Sequence, residues 1–299
     1  VNIVENRKLF FAISGGLVLV AVILLLVNGL NFGIDFAGGT LLERGLPAGT
    51  TAAQVQEVLA SEALASLDLG GSFVQPLDEA VEGQTVVIIR TRAEGGTAAI
   101  EQIDQALRER FGEVTIRRTE LVGPVIGREL VRNALLALVV AGVGMLIYIS
   151  LRFEYRFGLA AVLGIAHDVV IALGVLALVG RELNTPFIAG ILTVVGYSIN
   201  NTIVVFDRIR ENLRLNPRKN LVELVNSSIH QTLARQINTS LTTLFAVVAL
   251  YFFGGSTIKD FTLTLLVGIV AGTYSSIFVV GALWMVLRER MPARAAKSA

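Results

Sequence analysis

Hydrophobic and polar positions follow two different regimes along this chain. Six apolar runs, about Leu9–Leu30, Ala134–Leu151, Phe157–Gly180, Phe187–Phe206, Ile237–Phe253 and Phe261–Leu287, are long enough to cross a hydrocarbon layer. Such a layer is about 30 Å thick, and a helix rises about 1.5 Å per residue. Between the first two runs, Phe36–Gly123 is polar and changes period. Thr40–Leu46 predicts a strand, and Pro47, Gly49 and Thr50 a turn. Thr51 offers an N-cap for a helix through Leu67. Ser72–Leu77 and Thr85–Thr91 predict strands joined by a Glu-Gly turn, and a Gly-Gly-Thr break precedes a helix over Ala98–Phe111. Gly112 ends that helix and Val114–Leu121 is a last strand. The order β-α-β-β-α-β is that of the ferredoxin-like split unit. The expected fold is therefore a polytopic α-helical membrane protein with six transmembrane helices and one α+β domain. The expected divisions are 1–35 (cytoplasmic N-terminus and first helix), 36–123 (outer domain), 124–287 (helices two to six, with a basic amphipathic cytoplasmic segment at 207–236) and 288–299 (cytoplasmic tail).

Composition sharpens this. Of 299 residues 54% are hydrophobic and 16% charged, far from a soluble domain. The net charge of +1 says little, but its distribution orients the chain. Arg7 and Lys8, Arg152 and Arg156, Arg208 to Lys219, and Arg288 to Lys297 share one side; the other side's short loops hold only Arg181 and Lys259. Basic residues collect in the cytoplasm, so both termini are expected there and 36–123 outside. The first run is too long for a signal-peptide core and lacks a small-residue cleavage site, which predicts a retained helix; a Val1 start fits a trimmed or cut chain. With no cysteine and two separated histidines, disulfides, thiolate chemistry and a metal cluster are not expected. No P-loop or nucleophile elbow is present, so neither an enzyme nor a cofactor is expected, and nothing suggests nucleic-acid binding.

Candidate chemistry lies where polar groups enter the apolar runs. Asp168, beside His167, falls near the middle of the third run; a carboxyl there serves either transport or interhelical bonding. Ala160, Gly164 and Asp168 make a thin face for helix packing, as does Gly268-x-x-x-Gly272 in the sixth run. Thr193, Tyr197 and Asn200 or Asn201 form a polar stripe in the fourth run, and Arg235, Thr239 and Thr242 one in the fifth. Arg235 is expected at the depth of Asn201, and with Thr273, Ser275 and Ser276 these residues predict one internal polar locus. Asp207, Arg208, Arg210 and Glu211 close the fourth run at the cytoplasmic boundary. The loop Asp207–Ile229 reads as positive-inside anchoring with an interfacial helix, or as a docking surface. Gly38-Gly39 and Pro124 with Gly127 mark elbows where the chain leaves and re-enters the membrane; Asp35 is an interfacial cap or anchor in preference to a transport group.

Three stretches carry a resemblance. Gly33-Ile-Asp-Phe-Ala-Gly-Gly-Thr40, Thr193–Glu211 with its Tyr-Ser-Ile-Asn-Asn core, and Gln231–Thr243 resemble the signatures of the SecF family, in order and over nearly the whole chain. The resemblance implies a subunit, or C-terminal half, of the bacterial SecDF complex, of the resistance-nodulation-division superfamily. It implies a multi-pass protein of the bacterial inner membrane that uses the proton motive force to assist preprotein export. The implied partners are SecD (fused or separate), the SecYEG channel and YajC, with SecA acting earlier. The implied proton pathway runs through position 201 and Arg235, with Asn200, Tyr197, Thr239 and Asp168 around it. The family pattern has Asp at position 201, and Asn201 cannot titrate. Two explanations stand: a deliberate Asp→Asn change that traps one state, which the flanking match favours, or a lineage that relies on the SecD carboxylate. The rival readings are a small-molecule or lipid exporter of the superfamily and a non-transporting scaffold for SecD.

Overall fold

The computed structural model describes residues 2–81, 83–91, 96–255 and 258–291. Two compact units divide the chain, one of residues 1–31 and 135–299, the other of residues 32–134. In chain order the first elements are α1 (Arg7–Asn28), the two-residue strand β1 (Asn31–Phe32), the one-turn α2 (Ile34–Ala37), β2 (Gly39–Pro47), α3 (Ala52–Leu59), β3 (Phe73–Val81), β4 (Gln84–Thr91), α4 (Gly96–Phe111) and β5 (Thr115–Val122). Then come α5 (Pro124–Arg152), α6 (Tyr155–Val179), the short β6 (Glu182–Leu183), α7 (Thr185–Leu215), α8 (Leu221–Phe253), α9 (Lys259–Ser275) and α10 (Gly281–Arg290).

The unit of residues 32–134 holds a four-stranded antiparallel sheet ordered β3-β4-β2-β5. Leu42 and Leu46 of β2, Val87 and Ile89 of β4, and Ile103 and Leu107 of α4 fill one core with α3. Alternation along β2 and β4 turns those side chains to the helix-covered face. Arg44 shares the inward register of Leu42 and Leu46 and is fully buried. It forms a forked pair with Asp104 of α4, Nε to Oδ1 at 2.6 Å and Nη2 to Oδ2 at 3.0 Å. Thr51 is the N-cap of α3, as expected, and the structure adds a reciprocal capping box with Gln54. The predicted helix through Leu67 is shorter, however. The chain turns extended at Ser61, continues as a 3-10 helix over Glu62–Leu67, and reverses at Asp68 with φ 46°. That break lets Leu64 and Leu69 fold back into the core. Glu82 of the expected Glu-Gly turn and Gly95 of the Gly-Gly-Thr break lie outside the described residues. Gly39, at φ 136°, is a conformation L side chains rarely adopt, and a Cβ there would meet the Thr91 carbonyl.

Among the described residues six helices are long and apolar enough to span a membrane, α9 and α10 making the sixth through a π-turn at Ser276–Val280. This is a multi-pass membrane protein. Helices α6, α7 and α9 are the inner members, with α1 on α6 and α8 against α7 and α9. Leu135, Val139 and Val143 of α5, like Leu26 and Val27 of α1, are exposed apolar surface suited to lipid. Gly268 lies against Val194, and a Cβ on Gly272 would sit 3.1 Å from Ser198 Cβ, so two glycines bring α9 onto α7. The expected cytoplasmic loop Asp207–Ile229 is mostly helix: α7 runs to Leu215 and α8 starts at Leu221, capped by Asn220. Amphipathic sequence continues each span beyond its apolar run, with Leu224, Val225 and Ile229 buried in one core with Trp284 and Phe206. The expected elbow at Pro124 is the first residue of the continuous α5.

Candidate functional site

Asp168 is the centre of the polar interior. It sits on α6 with 1% exposure and takes hydrogen bonds from two neighbouring helices. Ser198 Oγ of α7 donates to its Oδ2 at 2.6 Å, and Ser275 Oγ, the last residue of α9, to the same oxygen at 3.0 Å. His167 Nδ1 lies 2.9 Å from Oδ1. The His167 ring stacks on Tyr274, whose hydroxyl reaches the Phe10 carbonyl of α1. A carboxyl in hydrocarbon is costly unless donors surround it, and here three side chains do so. Gly272 leaves the room: a Cβ there would meet Asp168 Oδ2 at 3.4 Å.

A second set of bonds joins α7, α8 and the sixth span. Tyr197 donates to Ser240 Oγ at 3.3 Å, and Thr273 bonds the same oxygen at 2.7 Å. Ser276 Oγ donates to Gln236 Oε1 at 2.9 Å, and Gln236 Nε2 to Thr232 Oγ1 at 3.1 Å. Of the residues expected in one polar locus, Asp168, Tyr197, Thr273, Ser275 and Ser276 join these two bonded sets, whereas Asn201 and Arg235 do not. Ser198, Gln236 and Ser240 complete the sets and were not singled out by the sequence. The signal was there: Ser228, Thr232, Gln236 and Ser240 repeat every four residues and are all buried.

Arg235 and Thr239 are one position out of phase with that buried row. Both are exposed, which corrects the expected meeting of Arg235 with Asn201. The Arg235 guanidinium instead lines a cavity of about 540 Å³ with Tyr148, Arg152, Asp207, Arg208 and Gln231. Asn201 faces inward at 2% exposure, and among the described residues its Nδ2 has no hydrogen-bond partner; Asn200 faces outward. At the end of the Asn-Asn stretch, Arg208 pairs with Glu211 at 2.6 Å and bonds Gln231 of α8; Arg210 bonds the Arg152 carbonyl, and Asp207 is exposed. In the other unit, Asp35 lies in the single turn of α2, Gly38 has φ 74°, and a Cβ on Gly127 would approach the Phe36 carbonyl to 2.8 Å.

Residues 102–290 match the family described as protein export membrane protein SecD/SecF, C-terminal, and residues 23–43 the SecD/SecF GG motif, which takes in Gly38-Gly39. The protein translocase subunit SecF of Calditerrivibrio nitroreducens is 37% identical over 97% of this chain and 94% of its own. That of Acidaminococcus fermentans is 41% identical over 97% and 98%. The chain belongs to the SecF family. Among solved structures it is similar to SecDF from Thermus thermophilus, with TM-score 0.84 and 37% identity over 97% of this chain. SecDF in its super-membrane-facing form gives TM-score 0.71 and 36% identity. This SecF-family chain spans 39% and 40% of those two longer SecDF chains.

Proposed function

We propose that this chain is an accessory subunit of the Sec protein translocase, pairing with SecD in the bacterial cytoplasmic membrane and using proton movement to assist late preprotein export. The observation that carries the coupling is Asp168, a carboxyl enclosed by Ser198, Ser275 and His167 inside the spans. A buried ionisable group at such a depth is the kind of group on which proton relays are built. Arg235 and Asn200 support the pairing: their side chains are polar and exposed on apolar spans, and lipid offers them no partners. A second membrane subunit such as SecD would supply them, as the longer SecDF chains suggest. In this reading residues 36–123 are a periplasmic ferredoxin-like domain, which the β2-α3-β3-β4-α4-β5 order and the sheet order support. Both termini are cytoplasmic, SecYEG and YajC are neighbours, SecA acts earlier in the same export, and the protein is not an enzyme.

The superfamily's small-molecule exporters are a weaker reading, because one compact outer unit leaves no pair of substrate-handling domains. A scaffold role draws only on Asn201, which cannot titrate. Proton flux into vesicles holding this chain, SecD and SecYEG separates these readings. Arg235→Leu is expected to abolish export-linked flux; unchanged flux with intact SecD binding would leave the scaffold.

A further inference from the structure

We infer that Asp168 carries the exchangeable proton of this chain, and that the turn at Ser275–Ser276 relays its charge state to α8 beside Arg235. The inference rests on the proton-coupled reading above and names the residues that perform it. Position 201, where the family pattern has its carboxyl, is an amide here and has no proton to exchange. Among the described residues of the spans, Asp168 is the carboxyl buried in mid-helix; Glu182 and Asp260 stand at span ends.

The hydrogen bonds around it have two settings built from the same atoms. An ionised carboxylate only accepts, and Asp168 Oδ2 now faces two hydroxyl donors. A proton arriving from water forms an O–H bond on that oxygen and turns it into a donor, so one hydroxyl must become its acceptor. Ser275 already has somewhere else to donate: its Oγ lies 3.2 Å from the Gly272 carbonyl. Ser276 has the same choice, between Gln236 Oε1 at 2.9 Å and the Thr273 carbonyl at 3.0 Å. Each serine carries one hydroxyl proton and can serve one acceptor at a time. The proton leaves to water by the reverse exchange, and no other covalent bond changes.

The backbone at this point suits a switch. Ser276–Val280 is a π-turn, and such turns inside helices recur at functional sites. It follows Ser275 directly, so a change in what Ser275 bonds acts on the first residue of the turn. Ser276 holds Gln236, and the next residue back along α8 is Arg235, on the exposed face. The groups around Asp168 are few. His167 faces it from its own helix and Tyr274 of α9 stacks behind that ring. From α7 comes Ser198, and α1 meets Tyr274 through Ser14 and the Phe10 carbonyl. Arg235 of α8 points away, so among the described residues no lysine or arginine compensates the carboxylate.

The chain has no cysteine, so Asn238→Cys gives a single reporter thiol on the exposed face of α8 near Arg235. The full chain with SecD in vesicles is labelled with a maleimide across pH, each rate normalised to the denatured sample. A several-fold pH-dependent change in rate is expected. Asp168→Asn, of the same shape but unable to titrate, should hold the rate at its low-pH value. Ser276→Ala should also abolish the change while leaving Asp168 titrating, seen as a carboxyl C=O infrared band that rises at low pH and is missing in Asp168→Asn. A flat rate in the reference chain, an undiminished pH response in Asp168→Asn, or an identical infrared titration in that variant would each overturn the inference. Loss of SecD from the purified complex would instead overturn the proposed pairing, and the infrared titration, run on this chain alone, still decides the role of Asp168.

Discussion

Ser198 and Asp168 are joined by a 2.6 Å hydrogen bond that crosses from α7 to α6, with both side chains almost wholly buried. Removing one partner of a buried hydrogen bond costs about 1–3 kcal/mol, so Ser198→Ala should destabilise the bundle by that order. Ser198→Thr, which keeps the hydroxyl, should lose less if α9 can accommodate the extra methyl group. Equilibrium unfolding of the purified protein in detergent checks this; a Ser198→Ala protein as stable as its parent would show that the bond contributes nothing.

Gly268 and Gly272 fix how closely α9 approaches that pair. A side chain at Gly268 would occupy the space of Val194, and one at Gly272 would press on Ser198. Gly268→Leu is expected to prevent assembly, seen as aggregation or loss from the membrane fraction. Gly272→Ala is expected to be milder, because its nearest contacts, at 3.1 Å and 3.2 Å, are the Ser198 Cβ and hydroxyl. Gel filtration in detergent separates the two outcomes.

Much of the fold could be read from local signals. Thr51 announces the N-cap of α3, the run Val86–Ile89 its strand, and Gly112 the end of α4, because each acts within a few residues. The extra lengths of α7 and α8 were hidden for a physical reason. The turns that extend them are amphipathic, and only their burial in one core with Trp284 shows that they continue the spans. The site divides in the same way. Asp168 was visible as a carboxyl in an apolar run, but its partners lie on other helices. Arg235 illustrates the limit most sharply. Its four-residue spacing to Thr239 is correct, and so is that of Gln236 to Ser240. Which of two adjacent stripes faces inward depends on the neighbours of α8, and periodicity alone does not specify that phase.

The buried Arg44–Asp104 pair carries a stability prediction for the unit of residues 32–134. Arg44 also donates to the Arg118 carbonyl and Thr119 Oγ1, so all three of its nitrogens are engaged. Asp104→Ala would leave a guanidinium buried without its counter-charge, a loss of about 3–5 kcal/mol. The double variant Arg44→Met with Asp104→Leu should recover part of it, since apolar replacements of buried pairs are often tolerated. Limited proteolysis of residues 36–123 in the full-length chain reads out both. Equal resistance of Asp104→Ala and the parent would show that the pair is dispensable.

Asn201 gives the sharpest test of what its position does. Its Nδ2 is a buried donor with no acceptor among the described residues, a situation that costs about 1–3 kcal/mol. Asn201→Asp keeps the shape and, while neutral, replaces the two N–H donors by a single rotatable O–H, so the variant should fold at least as well wherever the carboxyl is neutral. It also adds a second titratable group in the bundle that holds Asp168. Proton-coupled export in vesicles containing SecD and SecYEG should rise, and it should require Arg235. If export is unchanged and stability falls, the amide is a structural residue of this chain. Proton handling in this half then rests on Asp168 alone, and the Asp168→Asn variant should abolish coupling in both the Asn201 and Asn201→Asp backgrounds.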